Sequence, residues 1–542
     1  QNLELRRQAV KDKSEIEEQK NRCLNLLNQN LELKQQAIKA ATLYNDINNA
    51  FFWKITKPLR NLTDISRNFY HSLTSLFYKF FVSLKSCGLK LTSIKIKNYL
   101  FGHIKRRNIV CNSLVSNNNT DYEMEFFLRY QSPYYVNYDE NKSTKITDDD
   151  VKLIAFYLPQ FHTFPENDKW WGRGFTEWTN VTKCLPKFKG HYQPQLPIDV
   201  GFYDLSNLDV MKRQVQLAKQ YGISGFCFHY YWFNGKRLME KPLDQFLINK
   251  DLNIKFCICW ANENWTRRWD GSEKDILIAQ NHSDQDDLNC IKDIAKYMKD
   301  ERYVRVDGKP LIIIYRGDIL PDAKRTINIW RRYCEECGIG EIHLVGAKTF
   351  NNINPIEYGF DMGVEFPPHH IVAPATDITK INFLYRGNNY DMEHFFTSND
   401  YNMEKKNYFT YKTVFPSWDN CSRQNLTGNV FHLEPCKYKQ WLVDAMKLTS
   451  KLSSYNPKLV FINAWNEWAE GAHLEPDRYY GYAYLEATSQ AIKEYKEQTP
   501  LVSIVAPAYN HEKFIEKSLL SVANQTYKNK ELIIIDDCSN DN

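Results

Sequence analysis

The chain has 542 residues, enough for several domains and a large buried core, and its net charge is only +5. That excess is too small to mark the whole chain as a nucleic-acid binder, and the 13 cysteines lack the regular spacing of a disulfide-stapled secreted domain. Cys334 and Cys337 form a CxxC with no second pair to complete a zinc site, so the spacing reads as accidental and the cysteine usage as that of a reducing cytoplasm.

Residues 1–50 are polar and free of Pro and Gly. Leu3, Val10, Leu24, Leu31 and Ile38 share a seven-residue phase that Glu17 interrupts. The pattern predicts a helix with a coiled-coil-like seam for self-association, or a solvated spacer helix. Residues 51–110 interleave aromatic and aliphatic residues with 12 Lys and Arg against one acid, Asp64. No apolar run approaches the ~20 residues that span a bilayer. One-sided charge on an amphipathic segment predicts peripheral contact with an anionic membrane surface, here the inner face of the cytoplasmic membrane; a helical hairpin packed on the protein is the alternative. Residues 111–150, with Asn117–Asn119 and Asp148–Asp150, read as linker.

From residue 151 to 498 short apolar segments alternate with amphipathic ones. Strands are expected at Leu153–Leu158, Gly225–His229, Lys255–Trp260, Leu311–Tyr315, His343–Ala347, Met362–Phe366, Thr413–Phe415 and Leu459–Asn463. Helices are expected at Asp209–Tyr221, Asp286–Lys299 and Ala323–Cys334. Eight strands with intervening helices, and no glycine-rich phosphate loop after the first, predict an α/β fold of the (β/α)8 TIM-barrel type rather than a doubly wound sheet.

In such barrels the working face lies at the strand C-termini. Seven of the eight expected strands run there into aromatic or ionisable residues. The sharpest cluster, Trp465-Asn466-Glu467-Trp468-Ala469-Glu470, follows the eighth strand. Glycosyl chemistry commonly uses two carboxyl groups, so Glu467 and Glu470, three residues apart and presentable by one helical turn, are the expected catalytic pair. The neighbouring tryptophans are expected to exclude water and raise the pKa of the acid. Glu263, in Trp260-Ala261-Asn262-Glu263-Asn264-Trp265, is a third carboxylate, read as a ligand of substrate hydroxyls or a second base, with a capping role open beside it. The candidate sugar contacts are Tyr157, His162, Trp178, His229, Tyr230, Trp260, Asn262, Glu263, Trp265, Tyr315, Trp418, Trp465, Asn466 and Trp468. The segment Trp170–Trp178 reads as a stacking wall or as a packed loop over the barrel mouth.

Four motifs carry a resemblance: Phe156–His162, Gly174–Trp178, Trp260–Trp265 and Asn466–Gly471 resemble the WbsX-like family of bacterial O-antigen, capsule and cell-wall polysaccharide clusters. That family is similar to glycoside hydrolase family 99, the endo-α-mannosidases. The resemblance implies that Glu467 assists attack by the sugar's own 2-hydroxyl and that Glu470 is the general acid. Ala469 stands where those hydrolases carry His, a departure that bears on substrate contacts and on hydrolysis itself. Residues 499–542 look like the opening of a family 2 glycosyltransferase. The resemblance implies nucleotide binding near Asp536 and Asp537, and a nucleotide-sugar donor with a divalent metal only for a complete domain. For the barrel no cofactor and no metal is expected. Both ends of the chain read as cut, and the expected partner is a glycan or lipid-linked oligosaccharide, with no nucleic acid. The expected activity is glycosyl transfer in surface-polysaccharide synthesis; endo-α-mannosidase-like hydrolysis and a non-catalytic glycan-binding barrel are the alternatives.

Overall fold

The computed structural model describes residues 131–267, 272–351, 354–369, 371–398, 408–497, 502–525 and 530–540. The expected coiled coil and basic amphipathic region, and residues 111–130 of the expected linker, lie outside them.

Eight parallel strands close into a barrel: β1 (Lys152–Tyr157), β2 (Gly225–Phe233), β3 (Lys255–Trp260), β4 (Lys309–Ile314), β5 (His343–Lys348), β6 (Met362–Glu365), β7 (Thr410–Val414) and β8 (Leu459–Ile462). Each strand pairs with its sequence neighbour, and β8 returns to β1 with Lys152 opposite Leu459. The strands are buried on both faces, all nine residues of β2 included, which is why they read as apolar runs rather than alternating ones. Helices α1 (Leu208–Gln220), α2 (Glu240–Ile248), α3 (Asp284–Met298), α4 (Ala323–Glu336), α5 (Pro435–Leu452) and α6 (Ala483–Glu497) form the outer layer. Asn207, Ser283 and Asp322 cap α1, α3 and α4 by accepting from the N–H of Asp209, Asp286 and Arg325.

All eight expected strands are present. The seventh begins three residues early, at Thr410, because Lys412 does not mark its edge: the side chain is buried and donates to Glu365 at 2.8 Å. Residues 131–150, part of the expected linker, are anchored to the barrel instead. Ser132 and Val136 donate backbone bonds to Tyr479 and Tyr480, and Lys142 pairs with Glu486 on α6. Cys334 and Cys337 are free thiols at the end of α4.

Beyond the barrel, β9 (Val502–Ala508) and β10 (Lys530–Asp536) pair in parallel, with α7 (Glu512–Ala523) between them. Their ends are tied where Asn510 accepts from the N–H of Asn540 and donates to Ser539. Asp536 ends β10 and accepts from Ser539; Asp537 donates its N–H to Ala508. Among the described residues no helix is long and apolar enough to cross a membrane.

Candidate active site at the barrel mouth

A cleft of about 670 Å³ opens at the C-terminal ends of the strands. Side chains alternate along a strand, so parity decides which of its residues reach it. On β2, His229 and Tyr231 face the cleft, while Tyr230 points outward and donates to Asp293 on α3. On β3, Trp260 likewise points outward and packs on Trp330 of α4, 5.4 Å between centroids. Tyr157 at the end of β1 donates to Gln214 on α1. These three expected sugar contacts therefore belong to the barrel–helix interface.

The two Asn-Glu pairs share one construction. Asn262 donates to the carbonyl of Arg316 and accepts from its N–H, both at 2.8 Å, clamping the exit of β3 to that of β4. Asn466 does the same to Leu158, donating at 3.0 Å and accepting at 2.7 Å, and so clamps the exit of β8 to that of β1. In each case the following glutamate, Glu263 or Glu467, faces the cleft. Both asparagines are fully buried, and neither lines the cleft.

Trp465 and Trp468 are also buried completely, and both indoles turn away from the cleft to Glu475. Glu475 accepts from Trp465 at 3.1 Å, Trp468 at 2.7 Å, Gln214 at 2.6 Å and Tyr203 at 2.7 Å. Burial lifts its pKa to about 7, and the four donors pull against that rise. The tryptophans thus fasten the loop that carries Glu467 and Glu470 to a buried acid. Replacing Glu475 by leucine is expected to orphan these donors and lower stability by roughly 2–3 kcal/mol, read as a lower urea midpoint at about pH 5, below the raised folded pKa. An unchanged midpoint would contradict the anchoring role. Trp178 packs on Trp468 and donates to the carbonyl of Tyr203, and buried His162 lies outside the cleft wall. The expected stacking wall is split: Trp171 faces the cleft, whereas Trp170 packs against Trp265.

The expected residues that do line the cleft are His229, Glu263, Trp265, Tyr315, Trp418, Glu467 and Glu470. Glu467 and Glu470 are presented not by an α-helical turn but by a short two-residue strand and a 3-10 turn, Trp468–Glu470. Gly471 closes that turn at φ +59°, where an added Cβ would lie 2.9 Å from the backbone nitrogen of Asp419.

At the centre of the cluster is a residue absent from the sequence reading, Arg423, in the short helix Cys421–Gln424 after β7. Its guanidinium donates to three carboxyl groups: Glu470 at 2.6 Å, Glu467 at 3.0 Å and Glu177 at 3.3 Å. The side-chain exposures of Glu177, Glu467 and Glu470 rise from 0% through 8% to 22%, so Glu470 is the most open to an incoming ligand. Burial would lower the pKa of Arg423, but the charges of Glu177, Glu467 and Glu470 overcome this and hold it well above its ordinary value. Glu467 is pushed up to about 8, first by desolvation and further by Glu470 and Glu177, against the opposing charge of Arg423. Burial likewise raises Glu177. Three carboxyl groups facing one cation favour keeping at least one proton in the cluster at neutral pH. That proton is favoured on Glu467, whereas the family resemblance gives the acid's part to Glu470.

Around this centre His229 is held neutral, its pKa lowered to about 4 by burial and by the charge of Arg423. Glu263 accepts from Arg316 at 2.7 Å, and Arg316 also holds Asp318. Buried polar atoms of two wall residues, Nε2 of Gln160 and Nδ1 of His229, have no protein partner. Tyr231 was legible by parity from His229; Arg423 had no motif to signal it. His191, Asp419 and Cys421 bring potential metal-binding atoms within 4.8 Å of one another. There, Asp419 bonds to His191 at 2.6 Å and accepts from the N–H of Cys421, while Nδ1 of His191 accepts from the N–H of Lys187.

The profile of a family described as "Glycosyltransferase WbsX" matches residues 153–488, and that of "Glycosyl transferase family 2" matches residues 503–542. The WxcX protein of Xanthomonas campestris pv. campestris strain B100, itself uncharacterized, is 46% identical over 346 residues, 63% of this chain and 49% of its own length. The chain thus spans about half the length of the curated relatives it matches there. A glycosyltransferase of Haemophilus influenzae, also uncharacterized, is 51% identical over 45 residues, 8% of this chain and 14% of that protein. Among solved structures, a glycoside hydrolase-like protein is similar at 16% identity and TM-score 0.42, covering 66% of this chain and 98% of that one. The GH99 endo-alpha-mannosidase from Bacteroides thetaiotaomicron is similar at 15% identity and TM-score 0.41, covering 65% and 99%.

Proposed function

Because the chain belongs to the WbsX glycosyltransferase family, whose profile spans more than half of it, we propose that its barrel transfers a glycosyl group between sugars in surface-polysaccharide synthesis, with Glu467 and Glu470 as the catalytic pair. One observation carries this reading: both carboxyls meet at a single guanidinium on the wall of an aromatic-lined cleft, and Glu467 is raised to about 8. A pair of carboxyls of which one holds a proton can supply acid and base to the two sides of a glycosidic bond. The acid's proton goes to the leaving oxygen as the anomeric C–O bond breaks. The base takes a proton from the oxygen that attacks, and a sugar hydroxyl as final acceptor gives transfer where water gives hydrolysis.

The donor proposed is a glycan rather than a nucleotide sugar. Among the described residues the cleft wall carries Glu263, Glu467 and Glu470, and its arginines, Arg316 and Arg423, are already engaged by carboxylates. A diphosphate leaving group calls for uncommitted positive charge, which the described residues of this wall do not offer. A specific observation also favours the second reading, a barrel that only binds glycan: Arg423 holds both carboxyls in the ligand-free site.

Product analysis of the full chain with mannose-containing oligosaccharides, and separately with nucleotide sugars, separates these readings. The expected result is elongated or exchanged oligosaccharide with the glycan donors, reduced by about 10²–10⁴ in Glu470→Gln while glycan affinity stays within a few-fold. Binding without turnover in the wild type leaves the binding module standing, and turnover confined to nucleotide sugars overturns the choice of donor.

A further inference from the structure

A second cavity, of about 240 Å³, lies beside the cleft and shares a wall with it. The shared residue is Trp418, which lines both. It sits on the segment after β7, whose Ser417 and Asp419 face the second cavity and whose Asn420 and Arg423 face the cleft. One stretch of chain therefore shapes both spaces. In the lining of the second cavity Tyr192 and Tyr479 pack at a 33° tilt, 4.7 Å between centroids, and Tyr480 meets Tyr479 edge-on at 4.9 Å.

The polar groups among these rings are ordered. Asp477, 2% exposed, accepts from the backbone N–H of Tyr479 at 2.8 Å and of Tyr480 at 2.6 Å. The other oxygen of Asp477 lies 3.8 Å from Nε2 of His473, too far for a hydrogen bond. Nδ1 of His473 faces the carbonyl of Glu475 at 2.8 Å, and its Nε2 meets Gln195 at the same distance. His473 thus bridges Gln195 and the backbone of Glu475, whose side chain holds Trp465 and Trp468.

Flat rings beside fixed hydrogen-bonding groups suit the apolar faces and rim hydroxyls of a sugar. The volume is below the ~300–1,000 Å³ of pockets for drug-sized ligands, which limits the occupant to about one ring. Asp419 is already paired with His191, and Asp477 accepts from two backbone N–H groups, so neither acid calls for a cationic ligand. We propose that this cavity is an outlying glycan subsite, holding one neutral pyranose ring of the chain whose reacting bond lies at Glu467 and Glu470. The proposal rests on the function given above and adds a length requirement to it.

The test is calorimetric titration of the full chain carrying Glu470→Gln with mannose-containing oligosaccharides of two to six residues. Affinity is expected to step up once the glycan is long enough to pass Trp418. Adding Tyr479→Ala is expected to weaken the longest ligands about tenfold and leave the disaccharide unchanged, whereas Tyr479→Phe keeps the step. Retained disaccharide affinity in Tyr479→Ala serves as the control for folding. Equal affinity at every length, an equal loss at every length, or no binding by any of them overturns the subsite and leaves the cavity a water-filled void. A length step in a wild-type protein without turnover defeats the catalytic reading and spares the subsite; turnover without a length step does the reverse.

Discussion

Arg423→Met is expected to destabilise the barrel by about 3–5 kcal/mol at pH 8.5 and to abolish turnover. The guanidinium faces Glu177, Glu467 and Glu470 at 2.6–3.3 Å and is itself 14% exposed. Without it, buried carboxylates are left with no counter-charge. They escape by taking up protons, so the deficit depends on pH, and its sign follows from linkage. Arg423 lowers the pKa values of Glu467 and Glu177, and its loss raises their folded values further above those of the unfolded chain. Stability from a carboxyl with a raised folded pKa is full below the unfolded value and is lost as pH rises through the folded one. The gap between wild type and Arg423→Met should therefore widen between pH 5.5 and pH 8.5. The wild type is expected to slope the same way, because Glu467 at about 8 and Glu475 and Asp477 at about 7 all lie above their ordinary values. Urea unfolding at the two pH values measures both effects. A gap that does not change with pH would reduce Arg423 to a packing residue. Arg423→Lys is not expected to rescue, since a single ammonium cannot reproduce three separate nitrogens, each facing its own carboxylate.

The barrel was legible because its strands are buried on both faces and separated by amphipathic helices, a pattern that runs of apolar residues announce directly. The placement of Glu467 and Glu470 on the cleft was legible for another reason: two acids among aromatics at a strand exit are costly to place and so conspicuous. The aromatics misled. Trp465, Trp468, Trp260 and Tyr157 share the motifs but not the cleft, because strand parity and the buried Glu475 turn them into the wall behind it. Their composition resembles a sugar platform, and only direction tells the two apart. Asn262 and Asn466 misled in the same way, since an amide that clamps two backbone groups cannot be distinguished in one sequence from an amide that meets a hydroxyl. Arg423 could not be found at all by motif. Its role comes from a 246-residue separation from Glu177 along the chain that only the closed barrel brings together.

Turnover is expected to fall as pH rises past about 8, and this limb identifies which glutamate carries the transferable proton. Below that value Glu467 is protonated in the free site, held so chiefly by desolvation. Above it, no acid remains there to protonate the leaving oxygen. The pH profile of kcat/KM reports the free enzyme, so the limb should appear in that parameter. Glu467→Gln is expected to reduce kcat/KM by about 10²–10⁴, the usual contribution of a general acid or base, and to remove the alkaline limb from the residual rate. A limb that survives in Glu467→Gln would take the transferable proton off Glu467. The two outcomes are exclusive, because the cluster offers one cation to three carboxyls and the loss of either partner moves its proton in a predictable direction. A profile flat to pH 9.5 in the wild type contradicts both, and places the proton that reacts outside the Arg423 cluster.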